Sequence, residues 1–402
     1  MLGPDQYMLG CVKGAAADFV ITGGRVTAPN RVLDDGWIAI AGGVIADVGT
    51  GTPPPGNHVD VEGALVVPGF VDTHCHGGGG GSFSSGDPDE LAHAVRAHRR
   101  HGTTTMLASL VSDPIRALCD QVSALRELVE DGDIAGIHLE GPFISKVRCG
   151  AHDPAALLEP DTATINALLG HGRGAIRMVT LAPELLGGVK AVRQLTESGV
   201  IAALGHTDGV EEQIRPAIDA GASVATHLFN GMRPLHHREP GPVGTLLDDE
   251  RITVELICDL VHVHPTVLRL AARHAGQGRT VLITDAMSAT DAADGSYRLG
   301  RLEVDVTAGV ATLAENGSLA GSTLTMDVAF RNLVQGAQLG LLDAVRATSG
   351  KPAELLGIAD RTGALKPGLA ADVVVLDGEL RPLKVLRQGK WVAEVGTATL
   401  RT

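Results

Sequence analysis

The chain has 402 residues, 44% of them hydrophobic, enough to bury one large core and a second small one. Its 33 Lys and Arg against 47 Asp and Glu give a net charge of −14, and no basic run or basic-aromatic interleaving occurs, which argues against nucleic acid as a partner. No stretch approaches the ~18 apolar residues that span a bilayer, and five irregularly spaced cysteines without a CxxC pair give no disulfide framework; no membrane partner is expected, and the compartment expected is the cytoplasm.

Residues 1–16 read as a frayed or vector-derived tail. Within it, Leu9-Gly10-Cys11 has the look of a lipoprotein cleavage site but lacks a basic leader and a continuous apolar segment in front. Short β-type stretches follow at 19–27, 37–41 and 44–48, with Gly23-Gly24 and Gly42-Gly43 at turns. Residues 371–377 and 382–395 have the same character. The two ends are therefore expected to pair into a small β-sandwich domain, residues 17–66 and 366–402, with the middle inserted between its halves.

The middle alternates β-type and α-type segments. Apolar runs lie at 65–71, 104–107, 134–139, 176–181, 200–204, 223–226, 252–257 and 281–284. Amphipathic segments separate most of them; in one, Asp87 is placed to cap and Pro88 to open a helix. Eight such units predict an α/β fold, a (β/α)8 TIM-like barrel over residues 67–365.

Reactive side chains fall at the ends of these runs. His74 and His76 follow the first, Glu140 ends the third, His206 follows the fifth, His227 ends the sixth and Asp285 ends the eighth. In a barrel, strand ends converge on the C-terminal mouth, where active sites of this fold sit. Two imidazoles two residues apart on a strand face one side and can share a cation. A lone His on an apolar segment is more often a hydrogen-bonded core residue; the set taken in strand order favours ligation. Four His and two carboxylates suit one or two divalent ions, most simply Zn(II), with Glu140 able to bridge. Asp285 has the alternative of capping a helix, but its place opposite the His cluster favours general acid and base catalysis on a metal-activated water. Gly77 to Gly81 reads as a flexible loop beside the metal.

Pro68-Gly69-Phe70-Val71-Asp72-Thr73-His74-Cys75-His76 resembles the opening motif of the amidohydrolase superfamily. His138-Leu139-Glu140-Gly141-Pro142-Phe143, Gly205-His206-Thr207, Thr226-His227-Leu228-Phe229-Asn230-Gly231-Met232, Arg238-Glu239-Pro240-Gly241 and Thr284-Asp285-Ala286-Met287 resemble the N-acetylglucosamine-6-phosphate deacetylase family over nearly the whole chain. Other amidohydrolases usually carry a carboxylated Lys where Glu140 stands. The resemblance implies that Glu140, His206 and His227 hold the better-defined metal, that Asp285 moves the proton, and that His262 polarises the acetyl carbonyl. It also implies sugar contact by His152, phosphate-side contact by Asn230 and Gly231, and a homodimer in which Arg238 reaches the phosphate of the neighbouring subunit.

The activity implied is removal of acetate from N-acetyl-D-glucosamine 6-phosphate. The rivals are another amidohydrolase, either a cyclic amidase or an N-acetylgalactosamine-6-phosphate deacetylase, and a non-catalytic sugar-phosphate sensor, which would need neither Asp285 nor the metal set. Relatives lacking the two imidazoles hold one metal, so His74 and His76 leave the metal count open. Cys149, in a loop where many relatives carry another small residue or Lys-Gly, reads as an unreactive lid position, with a redox-sensitive thiol as the alternative.

Overall fold

The apolar run at 65–71 is one stretch in sequence and two strands in space, divided at Gly69. In the computed structural model, which describes residues 17–393 and 395, Leu65–Pro68 pairs antiparallel with Val373–Leu376 in a sheet built from the chain ends, while Phe70–Cys75 opens a separate parallel sheet. The chain thus passes from one sheet to the other two residues later than the expected division between 66 and 67. The tail at 1–16, with Cys11, and residues 394 and 396–402 of the expected end domain lie outside the described residues.

The end sheet has eight strands. Phe19–Ala28, Arg31–Ala41 and Val44–Thr50 form an antiparallel meander, and Phe19–Ala28 also pairs with His58–Asp60 near its start and with Leu65–Pro68 further on. Val373–Leu376, Pro382–Arg387 and Lys390–Trp391 extend the other side. Register irregularities around Gly24 bend the first strand. The sheet folds over a core that includes Ile21, Val26, Ile38, Ile40, Ile45, Val66, Val373 and Val375. Ile45 N donates to Leu369 O at 2.8 Å across the seam. The sandwich of the two ends is realised as one continuous sheet wrapped on itself.

The eight apolar runs of the middle supply eight parallel barrel strands: β1 (Phe70–Cys75), β2 (Thr103–Leu110), β3 (Gly136–Glu140), β4 (Ile176–Leu181), β5 (Ile201–Leu204), β6 (Val224–Ala225), β7 (Thr253–Ile257) and β8 (Thr280–Ile283). Consecutive strands pair from β1 to β8. The gap between β8 and β1 is closed at the mouth. Asp285 N donates to His74 O at 2.9 Å, and the Thr284 hydroxyl donates to Asp72 Oδ2 at 2.6 Å. Between strands run helices such as α1 (Pro88–Arg100), where Asp87 accepts from Asp89 N at 2.8 Å and Leu91, Ala94 and Val95 face the core.

Because strand side chains alternate, residues two apart stack in layers along the barrel axis. The lowest layer is apolar: Val71, Leu107, Met178, Ala203 and Val224, plugged by Ala353, Leu356 and Ile358. Two residues onward on three of these strands come Ser109, Thr180 and Thr226, joined by His138 in a polar layer. Beyond them the strand ends carry the reactive set.

Two segments differ from expectation. Gly77 to Gly81 is not a loose loop: Gly77–Gly78 pairs with Gly81–Ser82, and Gly79 N and Gly80 N donate to Thr290 O and Ser288 O at 2.6 and 2.8 Å. A Cβ on Gly81 would stand 2.2 Å from Glu90 O, so glycine serves close packing against α1 rather than mobility. After β8 comes a three-stranded antiparallel sheet, Gly295–Leu299, Leu302–Thr307 and Val310–Leu313. It brings Leu299 to the cleft. Among the described residues no helix is long and apolar enough to cross a membrane.

Candidate active site

Each reactive side chain is aimed inward by a local backbone device. His206, His227 and Asp285 sit just past their strands with φ of 48°, 30° and 51°, a left-handed conformation that costs about 1–2 kcal/mol for a residue with a Cβ. The turn points all three side chains over the mouth instead of along the strand. His74 and Glu140 lie on β1 and β3, and His76 follows one residue after β1 ends. A register irregularity between Asp72 and Cys75 tightens the end of β1.

All six predicted ligands converge. His74 Nε2 and His76 Nε2 are 3.0 Å apart, and His206 Nε2 and His227 Nε2 are 3.1 Å apart. Glu140 lies between the pairs. Its Oε1 is 3.0 Å from His206 Nε2 and 2.8 Å from His227 Nε2, while Oε2 is 3.2 Å from His76 Nε2 and 3.6 Å from His74 Nε2. Asp285 Oδ1 is 3.4 Å from His74 Nε2 and 3.2 Å from His76 Nε2. Donor atoms of His74, His76, Glu140 and Asp285 all lie within 4.8 Å of one another, as do those of Glu140, His152 and His206.

This geometry fits a divalent cation. Ring nitrogens that close together cannot all carry protons without repulsion, and aimed lone pairs meeting near two carboxylates make a cation-shaped donor set. Burial alone would drive the His74 imidazole toward neutrality, yet the carboxylates of Glu140 and Asp285 outweigh it and hold its pKa well above the ordinary value. Burial pushes the Asp285 carboxyl up, but His74 and His76 beside it prevail and hold it at about 2. The buried site therefore demands positive charge. The Nδ1–H of His206 donates to Arg148 O at 2.7 Å, which leaves Nε2 free as a ligand atom.

The remaining predicted residues divide. His152, Asn230, Gly231 and His262 line one cleft with His76, Glu140, His206, His227 and Asp285. His152 stands nearer the ligands than a sugar contact requires, with Nε2 3.3 Å from Glu140 Oε2 and Nδ1 accepting from Ser112 N at 3.1 Å. His262 donates from Nδ1 to Asp259 Oδ2 at 2.6 Å, and this carboxylate raises the imidazole pKa against the opposing effect of burial. Arg238 is not brought to the cleft of its own chain; it is exposed, with Nη1 2.9 Å from His237 Nε2. Cys149 is half-buried and burial raises its thiol pKa, so it stays protonated.

The residues not foreseen lie one layer down. His138 bonds Ser109 Oγ through Nδ1 at 2.9 Å and Thr180 Oγ1 through Nε2 at 2.8 Å, and burial keeps its pKa well below the usual value. Its position two residues before Glu140 was the available signal. Glu255, fully buried on β7, accepts from the Thr73 hydroxyl at 2.7 Å. The alternation of residues 302–307 was the unused sign of the sheet that carries Leu299 toward the cleft.

Comparison with known proteins gives a consistent result. The amidohydrolase family matches residues 65–395. The chain is 37% identical over 375 residues to an N-acetylgalactosamine-6-phosphate deacetylase of Escherichia coli O157:H7, covering 92% of this chain and 98% of that one. It is 37% identical over 342 residues to an N-acetylglucosamine-6-phosphate deacetylase of Lysinibacillus sphaericus, covering 83% and 87%. Among solved structures it resembles a mutant N-acetyl-D-glucosamine-6-phosphate deacetylase of Mycobacterium smegmatis in complex with N-acetyl-D-glucosamine-6-phosphate, with TM-score 0.90, 47% identity, and coverage of 94% of this chain and 100% of that one. From the stacked barrel, the ligand set at its mouth and these similarities together, the chain belongs to the amidohydrolase family.

Proposed function

We propose that this protein hydrolyses the acetamide of N-acetyl-D-glucosamine 6-phosphate to D-glucosamine 6-phosphate and acetate. The observation that carries the reading is the placement of Asp285, ionised and buried, beside the imidazole pair at the floor of the cleft. A divalent cation, most simply Zn(II), in one or two copies per chain, would be held by His74, His76, Glu140, His206, His227 and Asp285, and it supplies a Lewis acid and an acidified water.

The protein groups then divide the work. Asp285 accepts the proton of the attacking water through its carboxylate and returns it to the amide nitrogen as the C–N bond breaks. His262, held by Asp259 through Nδ1, presents its other ring nitrogen as donor to the acetyl oxygen as charge develops there. His152 contacts the sugar, and Asn230 and Gly231 take the phosphate side. Phosphate binding remote from the amide orients the acetamide and so contributes to rate.

The working form is a homodimer in which Arg238 crosses to the partner's cleft. Support comes from the exposed apolar residues Val147, Leu186, Leu235 and Val261, all in segments that follow barrel strands, Leu235 on the same loop as the exposed Arg238. Residues 69–365 form the catalytic domain, and 17–68 with 366–393 its β-domain. The cytoplasm is the expected site of action: the four cysteines among the described residues are free.

Acetate release from N-acetylglucosamine 6-phosphate, its galacto epimer and the unphosphorylated sugar tests the reading. Fastest turnover is expected on the gluco phosphosugar. The second reading, the galacto epimer, is favoured by the Escherichia coli relative. A higher kcat/KM on that epimer would replace the substrate assignment, and no acetate from either phosphosugar would remove the activity.

A further inference from the structure

A carboxylate sits in the barrel wall behind the candidate metal ligands with half of its bonding capacity unused. Glu255 is fully buried on β7, and its Oε1 accepts from the Thr73 hydroxyl at 2.7 Å. Its Oε2 has no hydrogen-bond partner and faces His74 Nδ1 at 3.7 Å, and that nitrogen has none either. Two buried, unsatisfied polar atoms of complementary character facing each other are costly unless they complete one another. From 3.7 Å, a shift of about 0.8–1.0 Å would bring them into the ~2.7–2.9 Å range of a charge-assisted bond.

We propose that Glu255 is a positioning residue that fixes the tautomer and aim of His74, and through it the affinity of a second cation held between His74, His76, Glu140 and Asp285. With Nδ1–H directed at Glu255, the Nε2 lone pair points to Glu140 Oε2 and Asp285 Oδ1 at 3.6 and 3.4 Å. A carboxylate behind a ligating imidazole also makes it a stronger donor than a neutral carbonyl does. His206 has only the neutral kind of support, from Arg148 O. The register irregularity in β1 matters here, since it lets the adjacent residues Thr73 and His74 both reach Glu255. The site is thus asymmetric: the His206 and His227 side relies on geometry, and the His74 and His76 side on a buried charge.

This inference rests on the metal-hydrolase reading, and the test separates the two. Metal-free protein is titrated with Co(II), following its visible absorption and the ions bound per chain, for the wild type, Glu255→Gln, Glu255→Leu, His76→Ala and the double variant His76→Ala with Glu255→Gln. The wild type is expected to take two ions. Glu255→Gln, which is isosteric and keeps an acceptor, should weaken one of them ~10–100-fold and leave the other unchanged. Glu255→Leu should lose that ion; should it fail to fold, the Gln variant carries the test alone. In the His76→Ala background, Glu255→Gln should change nothing further, because the ion it serves is already gone. Two ions of unaltered affinity in Glu255→Gln, a wild type that saturates at one ion, or equal weakening in the His76→Ala background would each overturn the role of Glu255 and leave the proposed function standing. A wild type that binds no cobalt would overturn the metal reading itself.

Discussion

Glu140 Oε1 lies 2.8 Å from His227 Nε2 across 87 residues of sequence, while the other oxygen of the same carboxylate reaches His76 Nε2 at 3.2 Å. One side chain therefore ties both imidazole pairs into a single centre. Glu140→Gln keeps the shape and removes the charge that offsets a bound cation, so metal content and acetate release should fall together, the latter by at least ~100-fold. Elemental analysis alongside the acetate assay checks this; a variant with full metal content and wild-type turnover would contradict the bridging role.

Asp285 is held at about 2, since the effect of burial is outweighed by His74 and His76, so it is ionised throughout the neutral range and ready to take a proton. Asp285→Asn cannot, and kcat on the phosphosugar should drop ~10²–10⁴-fold with KM little changed. A rise in KM with kcat preserved would assign Asp285 to binding instead.

The site was legible in the sequence to the extent that strand ends could be located. His74, His76, Glu140, His206, His227 and Asp285 each follow or close an apolar run, and the barrel does the rest. What escaped was anything depending on the strand interior or on backbone sign. Leu65 to Val71 is uniformly apolar because both sheets bury it, and no periodicity marks the division at Gly69. The positive φ of His206, His227 and Asp285 is only weakly marked in residue type: Asp and His adopt it more often than most side chains, but the great majority of them do not, and here tertiary contacts select it. Glu255 is the one charged residue inside the apolar run 252–257, and its partner Thr73 is 182 positions away.

Arg238 is exposed on its own chain and bonds His237 rather than a carboxylate. If it binds the partner's phosphosugar, Arg238→Ala should lower kcat/KM for the phosphorylated substrate ~10–100-fold, the usual weight of a charge-assisted bond, and leave the unphosphorylated sugar unaffected. The cross-subunit geometry has its own readout. Mixing Arg238→Ala chains with Asp285→Asn chains should restore activity, since a mixed dimer has one cleft with both groups intact. No recovery on mixing would place Arg238 in its own subunit's service or outside the reaction.

Gly231 has φ +58°, and a Cβ there would stand 2.7 Å from His206 Nδ1, the atom that donates to Arg148 O. Gly231→Ala therefore acts on the ligand as well as on the backbone. A backbone cost of about 1–2 kcal/mol is expected in denaturant unfolding. Metal affinity should fall as well, by ~10–100-fold, as His206 loses its support. Loss of stability with metal affinity intact would show that the loop yields and His206 does not.

His98 gives a pH dependence apart from the cleft. It is fully buried on α1, Nε2 donates to Gly77 O at 2.8 Å, and burial, only partly opposed by that carbonyl, lowers its pKa to about 4. The unfolded chain takes up a proton on this residue near pH 6.5 while the folded chain does not, so protons favour the unfolded state and stability falls as pH drops from ~6.5 toward ~4. For a shift of this size the loss from this residue is about 2 kcal/mol between pH 7 and pH 5. Urea unfolding of chelator-treated protein at both values, compared with His98→Gln, isolates it: the variant keeps a donor for Gly77 O, cannot titrate, and should lose about 2 kcal/mol less than the wild type on acidification. Equal losses in the two proteins would mean that His98 is protonated in the folded state and that the glycine hairpin over it opens readily to water.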